Sequence, residues 1–208
     1  MNDARGGRRR LAEAVSHVVA REGIAGVSVR AVAAEAGVSG GTVQHYFPTR
    51  AEMIRYAMEW TSLQVEERIG NVPRWGEVRE WTRAILLELL PLDADRRRES
   101  AVWLAFVAHA ETDPALRELK RGTNMKLHEL YSRIVRARRG LPVPTESVVH
   151  PGPDPDVESD ALLLQSLLDG LTLHLVGMDP DEAASVGPDL LDRYLELAVD
   201  LSAGRESA

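Results

Sequence analysis

"EAGVSGGTVQHYF", residues Glu35 to Phe47, admits two incompatible readings, and the choice between them decides the fold. Gly37-Val38-Ser39-Gly40-Gly41 has the G-x-S-x-G spacing of a nucleophile elbow, in which a strained strand-to-helix turn lifts a serine out for attack. The same letters describe a turn between two helices. An elbow needs a strand before it, and the preceding segment, "SVRAVAAEA" from Ser28 to Ala36, is alanine-rich and helical in propensity, with Ser28 placed as an N-cap. On the second reading every position has work. Gly37 supplies a left-handed C-cap, Val38 packs inward, and Ser39 caps a helix running to Phe47. Val43 and Phe47, four apart, face the core, while Gly41 and His45 point away, flanked by Thr42 and Gln44. Pro48 ends the helix, and Thr49-Arg50-Ala51-Glu52 is a capping box that opens the next. Ser39 is therefore read as the cap of a recognition helix.

Outward from this stretch the periodicity stays helical. Leu11, Val15, Val18 and Val19 share one face of a first helix, and Ile85, Leu86, Leu89 and Leu90 one face of a middle helix. Leu164, Leu168, Leu171 and Leu175 make a third stripe, and Leu191, Tyr194, Leu195 and Ala198 belong to a fourth. Prolines at 48, 73, 91, 114, 180 and 188 divide the chain into helix-length pieces, and no alternating strand is visible. The expected fold is all-α: an N-terminal three-helix helix-turn-helix domain over 1–57, then a larger helical ligand-binding and dimerisation domain over 58–208. The proline-rich stretch 140–156 reads as a long loop.

Charge divides along the same line. Although the net charge is -7, residues 1–57 carry eight arginines against five acidic residues, and the remainder is acidic. A basic head on an acidic body lets phosphates approach at one end. With no cysteine in 208 residues there is no disulfide, thiolate metal site or thiol nucleophile. The longest apolar run, Ala101 to Ala108, is far short of the roughly 18 to 20 residues that cross a bilayer, and no export signal is seen. A cytoplasmic protein without cofactor or metal is expected. His109-Ala110-Glu111 matches the H-x-E fragment of zinc deaminases, but the two cysteine ligands those enzymes need are missing.

From about Arg8 to Met58 the chain resembles the DNA-binding domain of the TetR family of one-component transcriptional regulators. The resemblance rests on the Gly23 turn, the Ser28 cap, the Gly37-Val38-Ser39 turn, Thr42, the aromatic pair Tyr46-Phe47 and the basic Arg50. Gln44 stands where many members carry tyrosine. The resemblance implies a homodimer that binds a roughly palindromic DNA operator and releases it when a small-molecule effector enters the C-terminal domain. A constitutive, ligand-free architectural DNA-binding protein is the alternative, and enzymatic activity is not expected.

Ser28, Arg30, Gly40, Gly41, Thr42, Gln44, His45, Tyr46 and Arg50 are the expected DNA-binding residues, with Gln44 the base reader because its amide pairs bidentately with adenine. Large side chains gather in the middle helices, so Trp81, Trp103, Phe106, Met125 and Tyr131, with His109, His128 and His174, are expected to line a ligand pocket. Tryptophan beside carboxylate suggests an apolar, cationic ligand. Leu164, Leu168, Leu171, Leu175, Leu191, Tyr194, Leu195 and Ala198, on helices over about 156–177 and 189–202, are the expected dimer interface, since leucines lie on nearly every side of the first of these helices.

Overall fold

In the computed structural model residues 2–144 and 154–203 are described, with side chains over 6–144 and 154–197. Most of the 140–156 stretch therefore lies outside the described residues, as does the side chain of Ala198. The described chain is helical throughout, without a strand. Helix α1 (Asn2–Glu22) leads through a 3-10 turn (Ile24–Gly26) to α2 (Val29–Ala36), α3 (Gly40–Tyr46) and the long α4 (Arg50–Asn71). There follow α5 (Val78–Glu88), α6 (Ala94–Ala110), α7 (Pro114–Arg138), α8 (Pro155–Val176) and α9 (Pro180–Ala203).

The boundaries are written in local chemistry. Ser28, Ser39, Thr49, Asp93, Asp113 and Asp154 each accept a hydrogen bond from a backbone N–H of the helix they precede, worth about 1 kcal/mol apiece. Pro114 and Pro155 stand in first turns, where a missing N–H costs nothing. Pro188, read above as a break, lies inside α9, which begins at Pro180. There α9 passes so close to the body that a Cβ on Gly187 would stand 2.7 Å from Leu92 and 3.0 Å from Leu175.

Apolar burial forms two cores. One joins α1 to α4 and also takes in Val102, Phe106 and Ala110 of α6 and Leu116 of α7. The other lies among α5, α7, α8 and α9, around Ile85, Leu86, Ile134, Leu168 and Leu191. The head is thus seated on α6, and α4 runs unbroken through position 57, where composition changes. No helix among the described residues is long and apolar enough to cross a membrane.

Residues expected at a dimer seam lie in this second core. Leu164, Leu168, Leu171, Leu175, Leu191 and Leu195 are at most 9 % exposed within a single chain, and Tyr194 is half-buried against them. That is a correction to the sequence expectation. The stripe chosen there is the one a monomer needs for itself, and the leucines left bare are others: Leu162, Leu163 and Leu173 on α8, Leu190 and Leu197 on α9. On α8 these flank exposed Ser166 and half-buried Gly170, at which an added Cβ would meet nothing.

Candidate functional site

The head is built around short capped segments. Ser28 accepts from the Ala31 N–H at 3.1 Å and starts α2. Gly37, at φ 64°, ends it in the left-handed region a side chain would resist, and the Val38 N–H closes back onto the Ala33 carbonyl at 3.0 Å. Ser39 then accepts from the Thr42 N–H at 3.1 Å and shares a 2.9 Å hydroxyl contact with Thr42. Among the described residues no histidine or carboxylate bonds to its hydroxyl, and a helix, not a strand, precedes it.

Val43 of α3 and Phe47 at its C-cap are buried, Gln44 and His45 exposed, Thr42 and Tyr46 half-buried. Gly40 lets α3 cross α2 closely, since a Cβ there would lie 3.4 Å from Val29, whereas Gly41 opens to solvent beside Ser39. Tyr46 is wedged toward α1, its hydroxyl 2.6 Å from where a Cβ on Gly7 would stand, with its ring edge-on to His45 at 5.2 Å. The outer surface of α3 is therefore Gly41, Thr42, Gln44 and His45, bordered by the Tyr46 ring.

Several head arginines are held by the protein itself. Arg50, expected on the DNA backbone, donates from Nε to the Val27 carbonyl at 2.8 Å and from Nη2 to the Ile24 carbonyl at 2.5 Å, tying α4 to the turn between α1 and α2. Arg10 donates to the Ala36 carbonyl at 2.7 Å, and Arg8 lies over the Phe47 and Tyr56 rings. Arg21 pairs with Glu35, which also meets His17 at 3.0 Å; these bonds hold the Glu35 carboxyl below its usual range. Arg30, exposed on α2, has no protein partner among the described residues.

Below the head a cavity of about 290 Å³ opens among α4, α6, α7 and α8. Met58, Val65, Ile69, Leu127 and Leu130 supply apolar walls, and Trp103 and Tyr131 the aromatic ones. Trp103 stacks on Phe106 at 5.8 Å between ring centroids, and Phe106 is itself sealed in the head core. Asp169 of α8 faces the cavity with no hydrogen bond or ion pair from any described residue. Burial pushes its carboxyl above the usual carboxylate range. Burial, and then the Asp169 charge, push the Tyr131 phenol up as well.

An ion-pair cluster closes one side. Arg68 donates to both Glu99 oxygens, at 2.8 and 2.6 Å, and to Glu88 at 3.2 Å. Beyond it lies a polar cleft of about 530 Å³ against α1, so that Thr61, Arg68, Arg96 and Glu99 face both spaces. Thr61 also meets Ser16 of α1, 3.5 Å between hydroxyls.

Of the expected ligand residues, Trp103 and Tyr131 reach the cavity. Phe106 stands behind Trp103, Trp81 packs on the body core, and Met125 is 66 % exposed. His128 bonds Glu158 of α8 at 2.6 Å, outside the cavity lining, His109 lies in the last turn of α6, and His174 is exposed at the end of α8. Helix rotation explains this: on α7, Thr123, Leu127, Leu130 and Tyr131 share the inner face, and positions 125 and 128 turn away from it. Asp169 was not anticipated. Its signal was a polar stripe, Gln165, Asp169 and Thr172 at spacings of four and three, on a helix otherwise crowded with leucine. Glu111 of the H-x-E fragment accepts from Lys120 at 2.6 Å, an ordinary surface pair.

Comparison with known proteins agrees with this architecture. Residues 11–57 match the family described as bacterial regulatory proteins, tetR family, and residues 78–200 match the BetI-type transcriptional repressor, C-terminal domain. The chain is 33 % identical to the HTH-type transcriptional regulator PksA of Bacillus subtilis (strain 168), over 83 % of this chain and 80 % of that protein. A solved transcriptional regulator from Rhodococcus sp. Rha1 is 34 % identical with a TM-score of 0.70, covering 88 % of this chain and 94 % of its own. A regulator from Saccharomonospora viridis, solved in complex with choline, shares the fold at a TM-score of 0.76 and 21 % identity, covering 91 % of this chain and 95 % of its own.

Proposed function

This chain belongs to the TetR family of transcriptional regulators, and from that premise we propose that it is a cytoplasmic repressor released from its operator by a small organic cation. The observation that carries the ligand reading is Asp169. Asp169 stands solvent-accessible at a cavity with largely apolar walls, and no cation among the described residues lies against it, so its charge is free to meet a ligand; partial desolvation there raises its pKa. A bound ammonium meets that charge, and Trp103 and Tyr131 line the same cavity, where an aromatic ring attracts a cation. The S. viridis neighbour, which holds choline, supports the choice of ligand class.

The reading assigns residues 1–57 to DNA and the remainder to ligand and dimer. Gln44, His45, Thr42 and Gly41 meet the major groove, with Tyr46 at their border and Ser28, Gly40 and Arg30 at the flanking backbone. Two copies associate through Leu162, Leu163 and Leu173 of α8 and Leu190 and Leu197 of α9. Ser166 and Gly170 let the paired α8 helices approach closely. Two-fold symmetry then sets the two α3 helices roughly 34 to 36 Å apart, one DNA turn, in the operator-bound form.

Calorimetric titration of the purified chain with choline and with its neutral isostere, in which carbon replaces nitrogen, tests the ligand class. Binding of choline, weakened in Asp169→Asn, is the expected result. Equal binding of both compounds, or binding untouched by Asp169→Asn, contradicts it.

A further inference from the structure

The charged groups around the cavity leave a remainder of two. Four carboxylates line it, Glu66, Glu88, Glu99 and Asp169, and four cations, Arg68, Arg74, Arg96 and Lys126. Three cations are held by protein: Arg68 by Glu88 and Glu99, Arg96 by Asp93 and Glu88, Lys126 by Glu66 at 2.7 Å. Each of Glu66, Glu88 and Glu99 is held in return. Among the described residues, one wall charge of each sign then has no partner: Asp169 on α8, and Arg74 in the turn after α4.

We propose that the effector is a zwitterion, its cationic end meeting Asp169 and its anionic end meeting Arg74. The proposal rests on the cation reading above and adds the second end of the molecule. The eight wall charges sum to zero, so a simple cation that meets Asp169 leaves Arg74 as the one wall charge without a counter-charge among the described residues. A zwitterion leaves the balance unchanged and gives each free group its counter-charge. Arg74 suits an anion because its guanidinium presents paired donors to a carboxylate or phosphate edge. Exposed on the chain segment from 72 to 77, it can close on a carboxylate without disturbing packed core. With a volume of about 290 Å³, the cavity selects a short molecule bearing both charges.

The test is calorimetric titration of the full chain with two matched probes, (trimethylammonio)butanoate and butyl(trimethyl)ammonium, which differ by the terminal carboxylate. The wild type is expected to prefer the zwitterion by up to about fivefold, the upper end for one exposed ion pair. Arg74→Gln should abolish that preference and leave butyl(trimethyl)ammonium within about twofold of its wild-type affinity. Asp169→Asn should weaken both probes. If the plain cation binds the wild type through Asp169 as tightly as the zwitterion does, or if Arg74→Gln leaves the preference intact, the zwitterion proposal fails alone. If Asp169→Asn alters neither probe, or neither binds, the cation reading fails with it.

Discussion

Trp103 and Phe106 stack at 5.8 Å between ring centroids across the boundary between the two working halves of the protein: Trp103 walls the ligand cavity, and Phe106 is fully buried in the core of the DNA-binding head. Met58 likewise faces the cavity and belongs to the head core. A molecule that shifts Trp103 therefore shifts packing beneath α1 and α4, and a close-packed core passes on such shifts. The consequence is separable in mutants. Phe106→Leu, at a cost of about 1 to 2 kcal/mol in stability, should leave ligand affinity within about twofold while reducing the change in operator affinity that ligand produces. Denaturant melts, calorimetry and DNA anisotropy on one preparation check the three parts.

The raised pKa of Asp169 sets the direction of a pH effect. A cation binds the ionised carboxylate, so affinity should rise with pH through the folded-state pKa of Asp169 and level off above it. Because the folded value lies above the unfolded one, the ligand-free protein has its full Asp169 contribution at low pH. It loses that contribution as pH rises through the folded value. Asp169→Asn should therefore remove the pH dependence of binding and raise the melting temperature of the ligand-free protein at neutral pH. Calorimetry and thermal melts from the ordinary aspartate range, about pH 3.9, up to neutral pH measure both.

In the head, Gln44 and Arg50 should separate cleanly. Gln44→Ala should relax base preference at one position per half-site by about 1 to 3 kcal/mol with no change in folding. Arg50→Ala removes the guanidinium donor from the Val27 carbonyl and leaves the Ile24 carbonyl with the Val27 N–H, so it should cost about 1 to 3 kcal/mol in stability and leave the slope of log K against log salt unchanged. Arg30→Ala, at an exposed arginine, should lower that slope by about 1. Selection from a randomised duplex pool and salt titration read these out.

The fate of Arg50 shows how far the sequence could be read. Caps at Ser28, Ser39 and Thr49, and the left-handed turn at Gly37, are local chemistry, so the head was legible from spacing alone. Whether an arginine turns outward to phosphate or inward to a carbonyl over twenty residues away depends on tertiary placement, which no local pattern carries. The same holds for the cavity. Trp103 and Tyr131 were found by residue type, but Met125 and His128 share their helices and face away, and Asp169 looked like one acid among many. On α8, leucines on nearly every side announced two buried faces without saying which belongs to the chain's own core.

That ambiguity now yields opposite outcomes for neighbouring leucines. Leu163→Glu and Leu173→Glu, on the bare face, should give folded monomers with weakened operator binding. Leu168→Glu, 2 % exposed in the chain's own core, should unfold the body whatever its oligomeric state. Sedimentation velocity with circular dichroism distinguishes the two.

The most direct test of a ligand-switched repressor is operator affinity measured with and without ligand, by fluorescence anisotropy on a duplex selected with the purified full-length protein, for wild type and Asp169→Asn side by side. The account predicts that a saturating quaternary ammonium compound weakens wild-type operator binding by a factor of about 5 to 150 and leaves the Asp169→Asn operator affinity unchanged. Operator binding that is tight and indifferent to every such compound in the wild type, or a release that Asp169→Asn retains in full, would contradict it.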